Sequence, residues 1–119
     1  MKLYGVYNAN GGLLGKLYYG AGKILGSANC ALCDVTHGHI REKATYKALI
    51  KELPVSMTHL HLNEQPECLE TFTKGKTPCV VLCKEGRYVM VFDKKMLTSF
   101  RGNVTHFHQA LKKFLESFP

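Results

Sequence analysis

Cys79-Val-Val-Leu-Cys-Lys84 and Arg87-Tyr-Val-Met-Val-Phe92 are two apolar runs of equal length, separated only by Glu85-Gly86. Branched and aromatic side chains pack well on a pleated surface, and a two-residue link containing glycine accepts the positive φ of a tight turn. The spacing therefore predicts a hairpin. A chain committed to such a hairpin must cover at least one of its faces. An amphipathic helix follows closely, with Val104, Phe107, His108, Leu111, Phe114, Leu115 and Phe118 on one stripe and Asn103 as its natural N-cap. A hairpin followed by a helix that can lie on it argues for a mixed α/β domain.

The rest of the chain fills in that plan. Residues 2–8 read as a short buried strand, and Asn8-Ala-Asn-Gly-Gly12 is turn chemistry. Leu13, Leu14, Leu17, Tyr18, Ala21, Ile24 and Leu25 recur at helical spacing, weakened by four interior glycines at about 1 kcal/mol each. A second helix is predicted from Ile40 to Leu53, with Ile40, Ala44, Lys47, Ala48 and Leu49 on one side and Pro54 as its stop. Residues 55–62 alternate as a strand, and 65–72 suit a short helix with Pro66 in its first turn. With 119 residues, the chain is expected to form one domain over 1–119.

Chemistry concentrates in Cys30-Ala-Leu-Cys33-Asp-Val-Thr-His37-Gly-His39. A C-x2-C step lets one turn of backbone supply two thiolates to a tetrahedral zinc, and the two imidazoles that follow are the nitrogen ligands it prefers. The same step suits a dithiol redox pair, and free cysteines also serve as small buried hydrophobes. The 6 histidines form three H-x-H pairs: His37/His39, His59/His61 and His106/His108. On a strand, positions i and i+2 share a face, so His59 and His61 would project together, with Leu60 and Leu62 turned into the core. The expected metal set is Cys30, Cys33 and His37 with His39 or His61 as fourth ligand. Asp34 could orient a ligating imidazole, or cap the next turn. His108 falls on the apolar stripe and is expected to pack, as are Cys68, Cys79 and Cys83. Glu64, Glu67 and Glu70 read as a solvated face. Gly11-Gly-Leu-Leu-Gly15-Lys16 departs from a P-loop at Asn10 and Leu17, which leaves nucleotide hydrolysis unsupported.

The order from residue 55 onward, with Met57-Thr-His-Leu-His-Leu-Asn-Glu64, Thr77-Pro78 and the two strands about Glu85-Gly86, resembles the C-terminal half of a thioredoxin-like domain. The resemblance implies a thioredoxin-like sandwich, with a usually cis Thr-Pro peptide facing the active-site cysteines. It implies too that Cys30 would be the nucleophile and Cys33 the resolving thiol of a thiol-disulfide oxidoreductase. The N-terminal half departs from that pattern: Asn8-Ala-Asn-Gly11 stands where the redox pair would be, and the cysteines come a full helix later. Either residues 9–29 are an insertion that displaces the motif into a helical or loop elaboration, or Cys30 and Cys33 still sit opposite Pro78. The Cys-Ala-Leu-Cys-Asp-Val-Thr-His-Gly run also resembles the signature of a little-described bacterial family, which implies no activity.

Composition narrows the setting. Hydrophobic residues at 45% and charged residues at 21% are ordinary for a soluble domain, and no apolar run approaches a membrane span. The first residues lack a secretory signal pattern and the cysteine count of 5 is odd, so a reduced, cytoplasmic setting is expected. Net charge +7 comes from scattered lysines rather than a basic block, which disfavours nucleic acid and leaves an acidic protein partner as the expectation for a non-catalytic adaptor. Zinc is the expected cofactor, and the spacing leaves enzymatic and non-enzymatic readings open.

Overall fold

The computed structural model describes residues 1–8, 32 and 44–118. Among them, four strands form one mixed sheet: β1 (Lys2–Val6), β2 (Ser56–Leu60), β3 (Cys79–Lys84) and β4 (Arg87–Phe92), in the spatial order β2-β1-β3-β4. β1 pairs in parallel with β2, placing Leu3 beside Met57 and Gly5 beside His59. Its other edge pairs antiparallel with β3, which continues through the hairpin into β4. The hairpin bounds are those the sequence predicts. Glu85 (φ 51°) and Gly86 (φ 77°) are both left-handed, the geometry that lets a two-residue turn follow the twist of its strands. Register shifts between Val80 and Val81 as β4 passes from Met90 to Phe92, a bulge that bends this end of the edge strand.

The helices are α1 (Ala44–Lys51), α2 (Glu67–Thr73), α3 (Lys94–Ser99) and α4 (Val104–Ser117). Because strand side chains alternate, β1 sends Leu3 to one face and Tyr4 and Val6 to the other. Leu3, Val80 and Leu82 join Tyr46 of α1, Leu97 of α3 and Phe107 and Leu111 of α4 in the larger core. On the opposite face Val6, Cys79 and Val81 pack with Leu69 of α2, with Phe72, Tyr88 and Met90 at its margin. Phe107 is wholly buried and its ring lies 5.4–5.9 Å from those of Tyr46, Phe92 and Phe100. Burying such a side chain stabilises by about 1.5–3 kcal/mol, and tilted ring pairs add to that.

Local signals account for the element ends. Asn103 caps α4 as expected, its Oδ1 accepting from the His106 N–H at 3.0 Å. Asp93 does the same for α3 through the Met96 N–H at 2.8 Å, and that short helix was not anticipated from periodicity. Three expectations need correction. The α1 helix stops at Lys51 rather than Leu53, and its core face is Tyr46, Leu49 and Ile50, while Ala44, Lys47 and Ala48 are exposed or nearly so. Tyr46 wins the interior because its ring fills the space over Phe107 while its hydroxyl finds a partner. β2 ends at Leu60, so His61 lies outside the strand and leads into a 3-10 turn over Leu62–Glu64. Pro66 is the N-cap of α2, its carbonyl accepting from the Glu70 N–H, rather than a residue within its first turn. The glycine-rich segment 13–25 and the start of the predicted helix at Ile40 lie outside the described residues.

Candidate functional site

Gly5 organises the site end of the sheet. A Cβ placed there would stand 2.9 Å from Met57 Cε, 3.3 Å from His59 Cδ2 and 3.4 Å from Leu32 Cδ2. The missing side chain thus leaves the room that these three residues fill. Leu32 belongs to the Cys30–Cys33 run and is completely buried, in one core with Tyr7 and Tyr46. His59 is held from the helix side: Tyr46 Oη lies 2.5 Å from its Nε2 and 3.7 Å from Met57 Sδ. Tyr7, just past β1 and buried, receives both histidines. Its ring centroid is 6.1 Å from that of His59 and 5.3 Å from that of His61. The two imidazoles therefore project to the same side as the alternation predicts, even though His61 has left the strand.

His61 is gripped by Glu64. The Glu64 carboxylate accepts the His61 backbone N–H at 2.7 Å and lies 2.5 Å from His61 Nδ1. The backbone bond, then the side-chain bond, hold the Glu64 carboxyl below its usual range. Glu64 is not merely a solvated residue, since it fixes the orientation of a partly exposed imidazole. The spacing His61-x-x-Glu64 is that of a capping box, with His in place of the usual Ser or Thr. That substitution hid the signal.

A second feature opens where β1, β2 and β3 meet. A cleft of about 670 Å³ is lined by Asn8, Leu62, Gln65, Thr73, Lys74 and Thr77, among others. Thr77 Oγ1 donates to Asn8 Oδ1 at 3.0 Å, and buried Thr73 donates to Gln65 Oε1 at 2.5 Å. The peptide between Thr77 and Pro78 is cis. No family model, curated protein or solved structure matches this chain.

Of the predicted site residues, His61 is placed, and Cys30, Cys33, His37 and His39 lie outside the described residues, as does Asp34. Among the described residues, no three His, Cys, Asp or Glu side chains are grouped as a metal site. The other thiols separate by environment. Cys79 is wholly buried, and desolvation pushes it up to about 12 against the weak opposing pull of Lys76, so it is a protonated packing residue at neutral pH. Cys83 is half-buried beside Tyr88, its cross-strand partner. Cys68 corrects the expectation of burial: it is exposed, because α2 turns Leu69 and not Cys68 into the sheet. His108 is half-buried on α4, and its buried Nε2 finds no hydrogen-bond partner among the described residues. Sequence reasoning missed Tyr7, Tyr46 and Glu64, whose roles depend on contacts between separate elements or on an unusual cap.

Proposed function

We propose that this protein is a thioredoxin-like α/β domain that binds zinc through Cys30, Cys33 and His37, with His61 as the fourth ligand. The observation that carries the choice of His61 over His39 is its bond to Glu64. A metal-ligating imidazole characteristically hands its second ring nitrogen to a carboxylate, which fixes the tautomer and strengthens the ligand. With Nδ1 on Glu64, Nε2 is left to bind a cation. Support for bringing the motif to this place comes from Leu32, buried beside Gly5 in the same core as Tyr7, against which His61 lies. Support for the fold comes from the parallel β1/β2 pair, the antiparallel β3/β4 hairpin and the cis Thr77–Pro78 peptide. Closed by four protein ligands, the zinc would be structural and would tie the cysteine run to the sheet; with one position open it could polarise a bound water.

The test is metal analysis of untagged protein purified without chelator, compared with Cys30→Ser/Cys33→Ser, His61→Ala and Glu64→Gln variants. About one zinc per chain is expected, absent from the double cysteine variant. Glu64→Gln should weaken zinc affinity by about 10–100-fold, as losing a carboxylate behind a ligand does. Full affinity in His61→Ala would transfer the fourth position to His39. A zinc-free parent protein would sink the proposal and leave thiol-disulfide exchange at Cys30, which a reactivity-against-pH profile of that thiol then decides.

A further inference from the structure

β4 closes one side of the sheet, and among the described residues no strand lies beyond it. The hairpin determines which of its backbone groups look outward. Lys84 and Arg87 flank a two-residue turn, so they form a hydrogen-bonded pair, as do Leu82 and Val89 one step on. The alternate residues, Tyr88 and Met90, turn their N–H and C=O away from β3 to the open edge. Beside Met90 run two adjoining grooves of about 440 and 400 Å³, which share Met90, Asp93 and Lys95 and take in Met96 and Lys76. Met96 is 44% exposed, an apolar side chain at the surface next to a strand edge that is unpaired among the described residues.

The charge at this edge has one dominant sign. Lys76, Lys94 and Lys95 are exposed around the grooves, and the carboxylate facing them is that of Asp93, already engaged with the Met96 N–H. Among the described residues, three lysines against one aspartate leave +2. Lys76 is held in place over the Phe72 ring, with Nζ 4.9 Å from its centroid. Lys94 and Lys95 occupy the first turn of α3, which carries no acidic residue. Cations are disfavoured there by the helix dipole, so helix stability does not account for them.

We propose that the outer edge of β4 takes an acidic, extended segment of a partner protein as an added strand. Tyr88 and Met90 would supply the backbone ladder, Met90 and Met96 the apolar contact, and the three lysines the selection for carboxylates. A second copy of this chain is the poorer occupant, since each copy carries net charge +7 and the same lysines. The bulge beyond Met90 limits the ladder to the first part of the strand.

The experiment uses the full chain, ¹⁵N-labelled, titrated with a capped peptide alternating glutamate and valine and, separately, with one alternating lysine and valine. The acidic peptide is expected to shift the amide signals of Tyr88 and Met90 and to slow their exchange. Arg87 and Val89, already bonded to β3, should gain no protection. Binding should fall steeply with salt and drop by about tenfold or more in Lys94→Glu/Lys95→Glu. That variant removes unfavourable charge from the start of α3, so it should fold at least as well as the parent. Equal binding of both peptides, an unaltered affinity in the charge variant, or shifts centred away from β4 would overturn the proposal. So would protection of Tyr88 and Met90 without peptide, accompanied by a dimer in sedimentation, which would give the edge to a second copy.

Discussion

Burial decides thiol chemistry side chain by side chain. Cys79 lies in the core at the start of β3, where desolvation holds its proton, whereas Cys68 faces water on α2. Brief iodoacetamide treatment of the native protein at pH 8, followed by peptide mapping, should find Cys68 modified and Cys79 untouched, with Cys79 reacting after denaturation. Modification of Cys79 in the native state would contradict its burial. Glu64 makes a second test at this scale. Its folded value lies below the ordinary 4.5 because the carboxylate accepts two bonds from His61. The resulting stabilisation is therefore complete above about pH 4.5 and disappears as pH falls through the lowered folded value. Following the Glu64 carboxyl carbon by NMR should show that depressed midpoint, and His61→Ala should return it toward normal. The position of His61 was legible in the sequence as half of an H-x-H pair. Its partner was not, because an exposed glutamate three residues on reads equally well as a solvated side chain.

Among elements, the hairpin was the most legible, and its bounds follow from the apolar runs and Glu85-Gly86. The turn itself is imperfect. Glu85 adopts φ 51°, which costs a residue with a Cβ about 1–2 kcal/mol and which asparagine tolerates better. Glu85→Asn should therefore raise the melting temperature, and a lowered one would show that Glu85 has a stabilising partner at the turn. The α4 helix was equally readable, since its stripe and Asn103 cap both lie within one stretch of sequence. The α3 helix was not: six residues starting Lys-Lys carry too short a period, and the one local clue is Asp93 at its cap. α1 shows the opposite error. Its alanines suggested a buried side, yet burial went to Tyr46, whose ring meets Phe107 and whose hydroxyl meets His59.

For the whole molecule, the decisive contact is the one that joins Leu32 to the sheet. Gly5, Met57, His59 and Leu32 come from three separate parts of the chain and share one small space. Gly5→Val would place a branched side chain where Met57, His59 and Leu32 already stand, and overpacking of this kind costs about 1–3 kcal/mol. Denaturant unfolding should show a lower midpoint, and on the proposed zinc reading metal affinity should fall with it. An unchanged midpoint would mean the space at Gly5 is not needed. What the sequence determined by itself was everything encoded within a few residues: strand alternation, the hairpin turn, the cap of α4 and the ligand-like spacing of cysteines and histidines. Local backbone preference and side-chain periodicity suffice for these. That His59 meets Tyr46, which cysteine is dry and which strand is left at the edge were decided only by tertiary packing. Those properties depend on the dielectric and the neighbours that distant segments bring together, and no short stretch of sequence carries them.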